Sequence, residues 1–188
     1  MGAYKYINKT FQEEYKGRSP EFRGRLVAWR SEPSVSRIAK PTNIARAREL
    51  GYKAKQGVVI ARVRVRKGLS MKQKPRGGRK PSKSGRYFAY HKSEQAIAEE
   101  RAARAFNNCE ALNSYFVGED GNYKFFEVIL IDRSHPSIES SREYSALLSQ
   151  RGRAYRGLTS SGRKHRGIMQ KGFGTNKNRP SIRANTRQ

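Results

Sequence analysis

The sequence predicts a mixed α+β fold with helices at its N-terminus and long basic segments attached to it. Three observations carry the prediction. Apolar residues recur with helical period through the first 30 residues, a strict two-residue alternation runs through VVIARVRVRK after Gly57, and two apolar runs flank the turn sequence GEDGN.

Tyr4, Ile7, Phe11 and Tyr15 fall on one helix face, and Gly17 follows as a stop. A second helix begins where Ser19 is a good N-cap, Pro20 fits the first helical position and Glu21 suits the positive end of the dipole. Phe22, Leu26 and Trp29 line one side of it, Pro33 ends it, and Trp29 reads as a core anchor rather than a base-stacking platform. Residues 35–40 read as a short strand before Pro41, and Thr42 caps a short helix that stops at Gly51. In the alternating strand, Val59, Ala61, Val63 and Val65 face one way and Arg62, Arg64 and Arg66 the other. That arginine row is either the solvated face of a half-buried strand or a phosphate-contacting row, since no carboxylate lies near it in sequence. Ser93 caps a helix to about Phe106, whose Ala98, Ala102 and Ala105 form a small-residue stripe suited to close packing on a sheet. Residues 112–117 and 123–131 are the strands of a hairpin, the second apolar on both faces apart from Lys124 and Glu127, as expected of a central strand.

The 188 residues carry a formal charge of +26, unevenly spread. Residues 50–93 hold 14 Lys and Arg and 144–188 hold 11, both without a carboxylate, whereas 94–143 has 10 acids against 5 bases. Two long acid-free stretches repel themselves in water and call for a polyanion. Residues 67–92 combine 9 cations with 4 Gly and 2 Pro and have no periodicity, so they read as disordered or extended until something anionic holds them. From Tyr144 the pattern is nearly structureless, with Arg151-Gly152, Arg156-Gly157, Arg166-Gly167 and Lys171-Gly172 setting a cation beside a residue that lets backbone approach phosphate. The domain organisation expected is therefore an α+β unit over 1–143, with a basic loop at 67–92, and a basic C-terminal extension over 144–188. The acidic surface of 94–143 should face solvent or a basic neighbour. Tyr87, Phe88 and Tyr90 are candidates for stacking on bases, although docking of the loop's end onto the domain is the preferred reading.

Other function classes find little support. The longest apolar run, 128–131, is far too short to span a bilayer, and no signal-peptide core or myristoylation motif opens the chain, so it reads as a soluble protein with no membrane partner. Cys109 is the only cysteine and reads as a packing residue. His91, His135 and His165 lack metal-ligand spacing, Glu99-Glu100 and Glu119-Asp120 are adjacent rather than opposed, and Gly172-Phe173-Gly174 has no Walker lysine. No enzyme chemistry, metal or cofactor is implied. A chromatin-packing protein would share the charge but would not need an apolar central strand, an internal basic loop and a separate tail.

MGAYKYI at the start, LGYKAKQG at 50–57, AEERA at 98–102, LNSYFVGEDGNYKFFEVILID at 112–132 and RGLTSSGRK at 156–164 resemble the archaeal and eukaryotic large-subunit ribosomal protein fifteen-e family, with RPSIRAN at 179–185 similar to its archaeal branch. The resemblance runs the length of the chain. It implies a small antiparallel sheet in the order strand, short helix, strand, helix, hairpin, and a structural protein of the large ribosomal subunit in the cytoplasm. Its partners would be large-subunit RNA and neighbouring ribosomal proteins, without homo-oligomerisation. Charge pattern and resemblance together nominate the RNA-binding residues. These are Lys53, Lys55, Arg62, Arg64 and Arg66 on and before the alternating strand; Lys67, Lys72, Lys74, Arg76, Arg79, Lys80, Lys83 and Arg86 in the basic loop; and Arg151, Arg153, Arg156, Arg163, Lys164, Arg166, Lys171, Arg179 and Arg183 in the C-terminal segment.

Overall fold

The structure is a computed structural model that describes residues 2–89, 92–170, 172–179 and 184. Of the sequence expectations, those on Tyr90, His91, Lys171 and Arg183 lie outside the described residues.

Helix α1 (Ala3–Gly17) ends not on its glycine but on Arg18, which takes the left-handed conformation at φ 51°. An αL residue without a glycine is strained, and here the strain is offset by Arg18 Nη1 donating to the Glu119 carbonyl at 2.7 Å while its guanidinium stacks 5.1 Å from the Tyr15 ring. Helix α2 (Pro20–Ser31) forms as its local chemistry dictates: Ser19 Oγ accepts from the Phe22 amide at 3.2 Å, Pro20 leads the first turn, and Phe22, Leu26 and Trp29 are buried. Strand β1 (Val35–Ile38) is shorter than 35–40. Helix α3 (Ile44–Glu49) is capped by Asn43, not Thr42. Thr42 is unavailable because its amide and hydroxyl both donate to the buried Glu127 carboxylate.

Strands β2 (Val58–Arg66), β5 (Cys109–Glu119) and β6 (Tyr123–Asp132) join β1 in a four-stranded antiparallel sheet of order β1-β2-β6-β5, which is the α+β architecture expected. Both faces are covered. On one, α4 (Glu94–Ala105), with Ser93 as its N-cap, lays Ala98 and Ala102 on Ala61, Val63, Val65, Val128 and Leu130. Ala105 is exposed, so the small-residue stripe ends one turn early. On the other face, Phe22, Leu26 and Trp29 of α2 pack on Ile60, Val117, Phe125 and Ile129. Strand β6 is the centre of the molecule, and each fully buried apolar side chain in it contributes about 1.5–3 kcal/mol of transfer free energy.

Two expectations fail on packing. Residues 67–92 are not featureless: β3 (Ser70–Met71) pairs antiparallel with β4 (Tyr87–Phe88) and closes the loop into a basic ribbon, with a 3-10 turn at Pro81–Lys83. The C-terminal part is not structureless either. Helices α5 (Pro136–Glu139), α6 (Ser145–Leu148) and α7 (Ser160–His165) follow β6. Tyr144 and Leu147 are buried with Ile131 and Ile138, and Ala154 joins the core beneath α4.

Candidate nucleic-acid interface

Among the described residues, the basic ribbon is tied to the domain at its root. Lys67 donates its amide to the Asn122 carbonyl at 2.8 Å and its ammonium lies 3.0 Å from the Glu119 carboxylate. Beyond that, Lys72, Lys74, Arg76, Arg79, Lys80, Lys83 and Arg86 are all exposed. Tyr87 and Phe88 are exposed as well, so these two rings are not docked onto the domain. Instead Lys72 Nζ sits 4.5 Å over the Phe88 ring and the Arg86 guanidinium 5.8 Å from the Tyr87 ring. Among the described residues, ion pairs of the 50–93 stretch are confined to Lys53, Arg62, Lys67 and Lys92.

The arginine row of β2 does not act as one surface. Strand register sets Arg62 opposite Glu127, and α2 brings Glu32 and Trp29 over it. The Arg62 side chain is 12% exposed, hydrogen-bonded to Glu32 at 3.0 and 3.2 Å, and stacked 4.4 Å from the Trp29 ring. It serves the interior, because carboxylates remote in sequence reach it. Arg64 donates to the Arg30 carbonyl and covers the Tyr123 ring at 4.8 Å, which leaves Arg66 as the exposed member. Lys53 pairs with Glu143. Lys55 is half-buried and forms no ion pair among the described residues.

The second basic surface is held in shape by carboxylates from the core. Glu110 accepts from the backbone amides of Gly152 at 2.7 Å and Arg153 at 3.1 Å. Glu99 accepts from the Ser114 hydroxyl and from Thr159 Oγ1 at 2.5 Å, and Thr159 in turn caps α7 through the Gly162 amide at 3.1 Å. Burial raises the Glu99 carboxyl above its usual 4.5, against the two hydroxyls that lower it. Gly157, at φ 63°, and Gly162 cross backbone on backbone: a Cβ on Gly162 would lie 2.6 Å from the Gly157 Cα. Gly152 and Gly167 also take positive φ, so in these Arg-Gly steps the glycine makes a turn.

This scaffold presents Arg151, Arg156, Arg163 and Lys164 to solvent. Arg166 donates to the Arg156 and Gly157 carbonyls at 3.2 and 3.3 Å, and Arg156 Nε donates to the Arg151 carbonyl at 3.0 Å, so the cations are pre-positioned without losing charge. Arg153 differs. It donates to the Ala111 carbonyl at 3.2 Å and to Gln150 Oε1 at 2.7 Å, and burial lowers its pKa; it is a strut of the loop. Arg179 donates to the Gln170 carbonyl at 2.6 Å near the 3-10 turn Phe173–Asn178.

Three acids of the acidic middle are withdrawn from the surface expected of it. Glu99, Glu110 and Glu127 are buried and hydrogen-bonded. The signal was present for Glu127, a lone acid in a strand apolar on both faces, but Glu99 and Glu110 have no comparable mark. Cys109 is buried and its thiol is pushed up to about 11 by burial, consistent with a packing role.

A ribbon and a clasped loop, both cationic and both attached to a small α+β core, fit a protein that fills space against a polyanion. The family model described as Ribosomal L15 matches residues 2–185. The chain belongs to the ribosomal L15e family. Membership makes it a structural protein of the large ribosomal subunit and not an enzyme, with ribosomal RNA and ribosomal proteins as partners, and places it in the cytoplasmic ribosome. Within this ribosomal L15e chain, the fold separates cations committed to the core (Arg62, Arg153) from those held outward on the ribbon and around α7.

Proposed function

We propose that this chain stabilises folded large-subunit RNA through two cationic surfaces. One is the ribbon bearing Lys72, Lys74, Arg76, Arg79, Lys80, Lys83 and Arg86; the other is the α7 region bearing Arg151, Arg156, Arg163, Lys164 and Arg166, continuing toward Lys171, Arg179 and Arg183. Lys55, just before β2, and Arg64 and Arg66, on β2, extend the contact, while Lys53, Arg62, Lys67 and Arg153 act indirectly by holding the scaffold. Residues 67–92 and the chain beyond α7 are the extensions of this division, and 1–143 carries the sheet. An archaeal-type member of the family is part of the same proposal, and the RPSIRAN segment supports it.

The observation that carries the reading is the ribbon: seven exposed cations with no ion-paired carboxylate among the described residues. Like charges held that close on a two-stranded hairpin repel each other, and phosphates relieve the repulsion with release of counterions. A-form grooves hide base edges, so selectivity would come from RNA shape and unpaired elements.

Titration of a large-subunit RNA fragment at several salt concentrations tests this. Six or seven phosphate contacts by the ribbon alone give a slope of log K against log salt of roughly −4 to −6. Replacing the seven ribbon cations with Gln should flatten the slope by about that amount. An unchanged slope would refute the ribbon's assignment.

A further inference from the structure

Between α1, the start of α3, β5 and the start of α4 lies a cavity of about 450 Å³, lined by Asn8, Phe11, Gln12, Tyr15, Arg46, Gln95 and Phe116 among others. None of the nominated RNA-binding cations lines it, and its size falls within the range of small-molecule sites.

Three features of its lining point to one kind of occupant. The walls are aromatic: Tyr15 and Phe116 meet edge to face at 5.7 Å and 90°, and Phe116 stays 38% exposed at the rim of an otherwise buried strand. The polar part of the lining is the amides of Asn8, Gln12, Asn43 and Gln95 with the Arg46 guanidinium and the Ser114 hydroxyl, and holds no carboxylate. Asn8 Oδ1 accepts from Asn43 at 3.2 Å and Gln95 Nε2 donates to the Ser114 carbonyl at 2.9 Å, yet the Gln12 amide has no partner among the described residues. The acids nearest the mouth are neutralised, Glu14 by Arg25, Glu49 by Arg46, Glu94 by Lys124 and Glu13 by Lys9. Flat aromatic walls beside a free amide and no uncompensated negative charge match an unstacked nucleobase.

We infer that this cavity receives one extruded adenine of the large-subunit RNA, held against Tyr15 and Phe116 and read by Gln12. Adenine fits because both of its hydrogen-bonding edges set an N6–H donor beside a ring-nitrogen acceptor, which an amide matches in bidentate fashion. Cytosine offers that pattern only on its pairing edge and guanine only on its sugar edge, and uracil sets no ring-nitrogen acceptor beside a donor. The inference rests on the rRNA-binding reading above but uses residues that reading does not.

Dimethyl sulfate probing of purified large subunits carrying the wild-type chain or Gln12→Leu tests it. Gln12 is exposed on α1, so the variant keeps the fold. One adenine protected in the wild type should gain reactivity roughly tenfold in the variant, within the ~5- to 150-fold discrimination of a bidentate amide–base pair. Ultraviolet crosslinking should join the Tyr15 or Phe116 peptide to that same nucleotide. No change at any adenine, a change spread over many, or a crosslink to a protein neighbour would overturn the proposal. The salt slope of RNA binding separates the two readings: it stays steep in Gln12→Leu if only the cavity assignment fails, and is shallow already in the wild type if RNA binding itself fails.

Discussion

Glu99→Ala should release the loop that carries the second cationic surface, and the structure sets the size of the effect. Glu99 is 1% exposed, and its two oxygens accept the Ser114 and Thr159 hydroxyls. Hydrogen bonds to a charged group contribute about 1.5–3 kcal/mol each, and relief of the carboxylate's own desolvation offsets part of that, leaving a net loss of about 3 kcal/mol. Glu99→Gln keeps the shape and both pairings with hydroxyl partners, so it should stay within about 1 kcal/mol of wild type at neutral pH. The sign of the pH dependence follows from burial. With the folded-state pKa raised above the unfolded value, the native state keeps a proton that the unfolded state has lost, so this group's contribution falls as pH rises from about 4.5 through the folded pKa. Glu99→Gln should remove that fall. Urea unfolding at pH 5 and pH 7, with trypsin cleavage after Arg156 and Arg163 as the local readout, measures both variants against the wild type. If Gln costs as much as Ala at pH 7, the ionised carboxylate is needed there, and the argument from desolvation is wrong.

Gly162→Ala should cost at least about 1–3 kcal/mol, because the added Cβ would lie 2.6 Å from the Gly157 Cα and backbone must move; thermal unfolding reads it. Arg62→Met should cost about 2–3 kcal/mol by leaving Glu127 short of its cation, and Arg62→Lys should recover little, since a single ammonium cannot lay a guanidinium plane on Trp29 while one nitrogen serves Glu32 and another faces Thr42 and Glu127; urea unfolding of both variants decides. Cys109 should resist alkylation in the native protein at pH 7, where a thiol of pKa about 11 is ionised about once in ten thousand molecules, and react promptly in urea; a fast native reaction would contradict its burial.

Where the chemistry of an element is local, the sequence reveals it. Helix α2 is legible because Ser19, Pro20 and Glu21 specify its start and Phe22, Leu26 and Trp29 its buried side within one stretch. The hairpin of β5 and β6 is legible because turn residues interrupt two strand-like runs. What escapes is set by partners far along the chain. Thr42 looks like a cap until Glu127, 85 residues away, takes its hydroxyl. Arg62 looks solvated until Glu32 and Trp29 arrive on α2. The C-terminal loop is invisible to periodicity because it docks through single residues, Tyr144, Leu147 and Ala154, and through carboxylates that the core supplies. The ribbon's positive charge is legible from composition alone, whereas the outward aim of its cations required the β3–β4 pairing.

The most direct test of the account is incorporation into large subunits by chains that fold but lack the outward cations. One variant replaces Arg151, Arg156, Arg163, Lys164 and Arg166 with Gln and retains the strut Arg153; a second does the same for the seven ribbon cations; a third neutralises the exposed acids Glu13 and Glu139. Circular dichroism confirms the fold of each before its amount in purified subunits is measured against free protein. The account predicts that both cation variants are depleted from subunits while the acid variant enters as wild type does. Normal incorporation of the two cation variants, with loss of the acid variant, would contradict it.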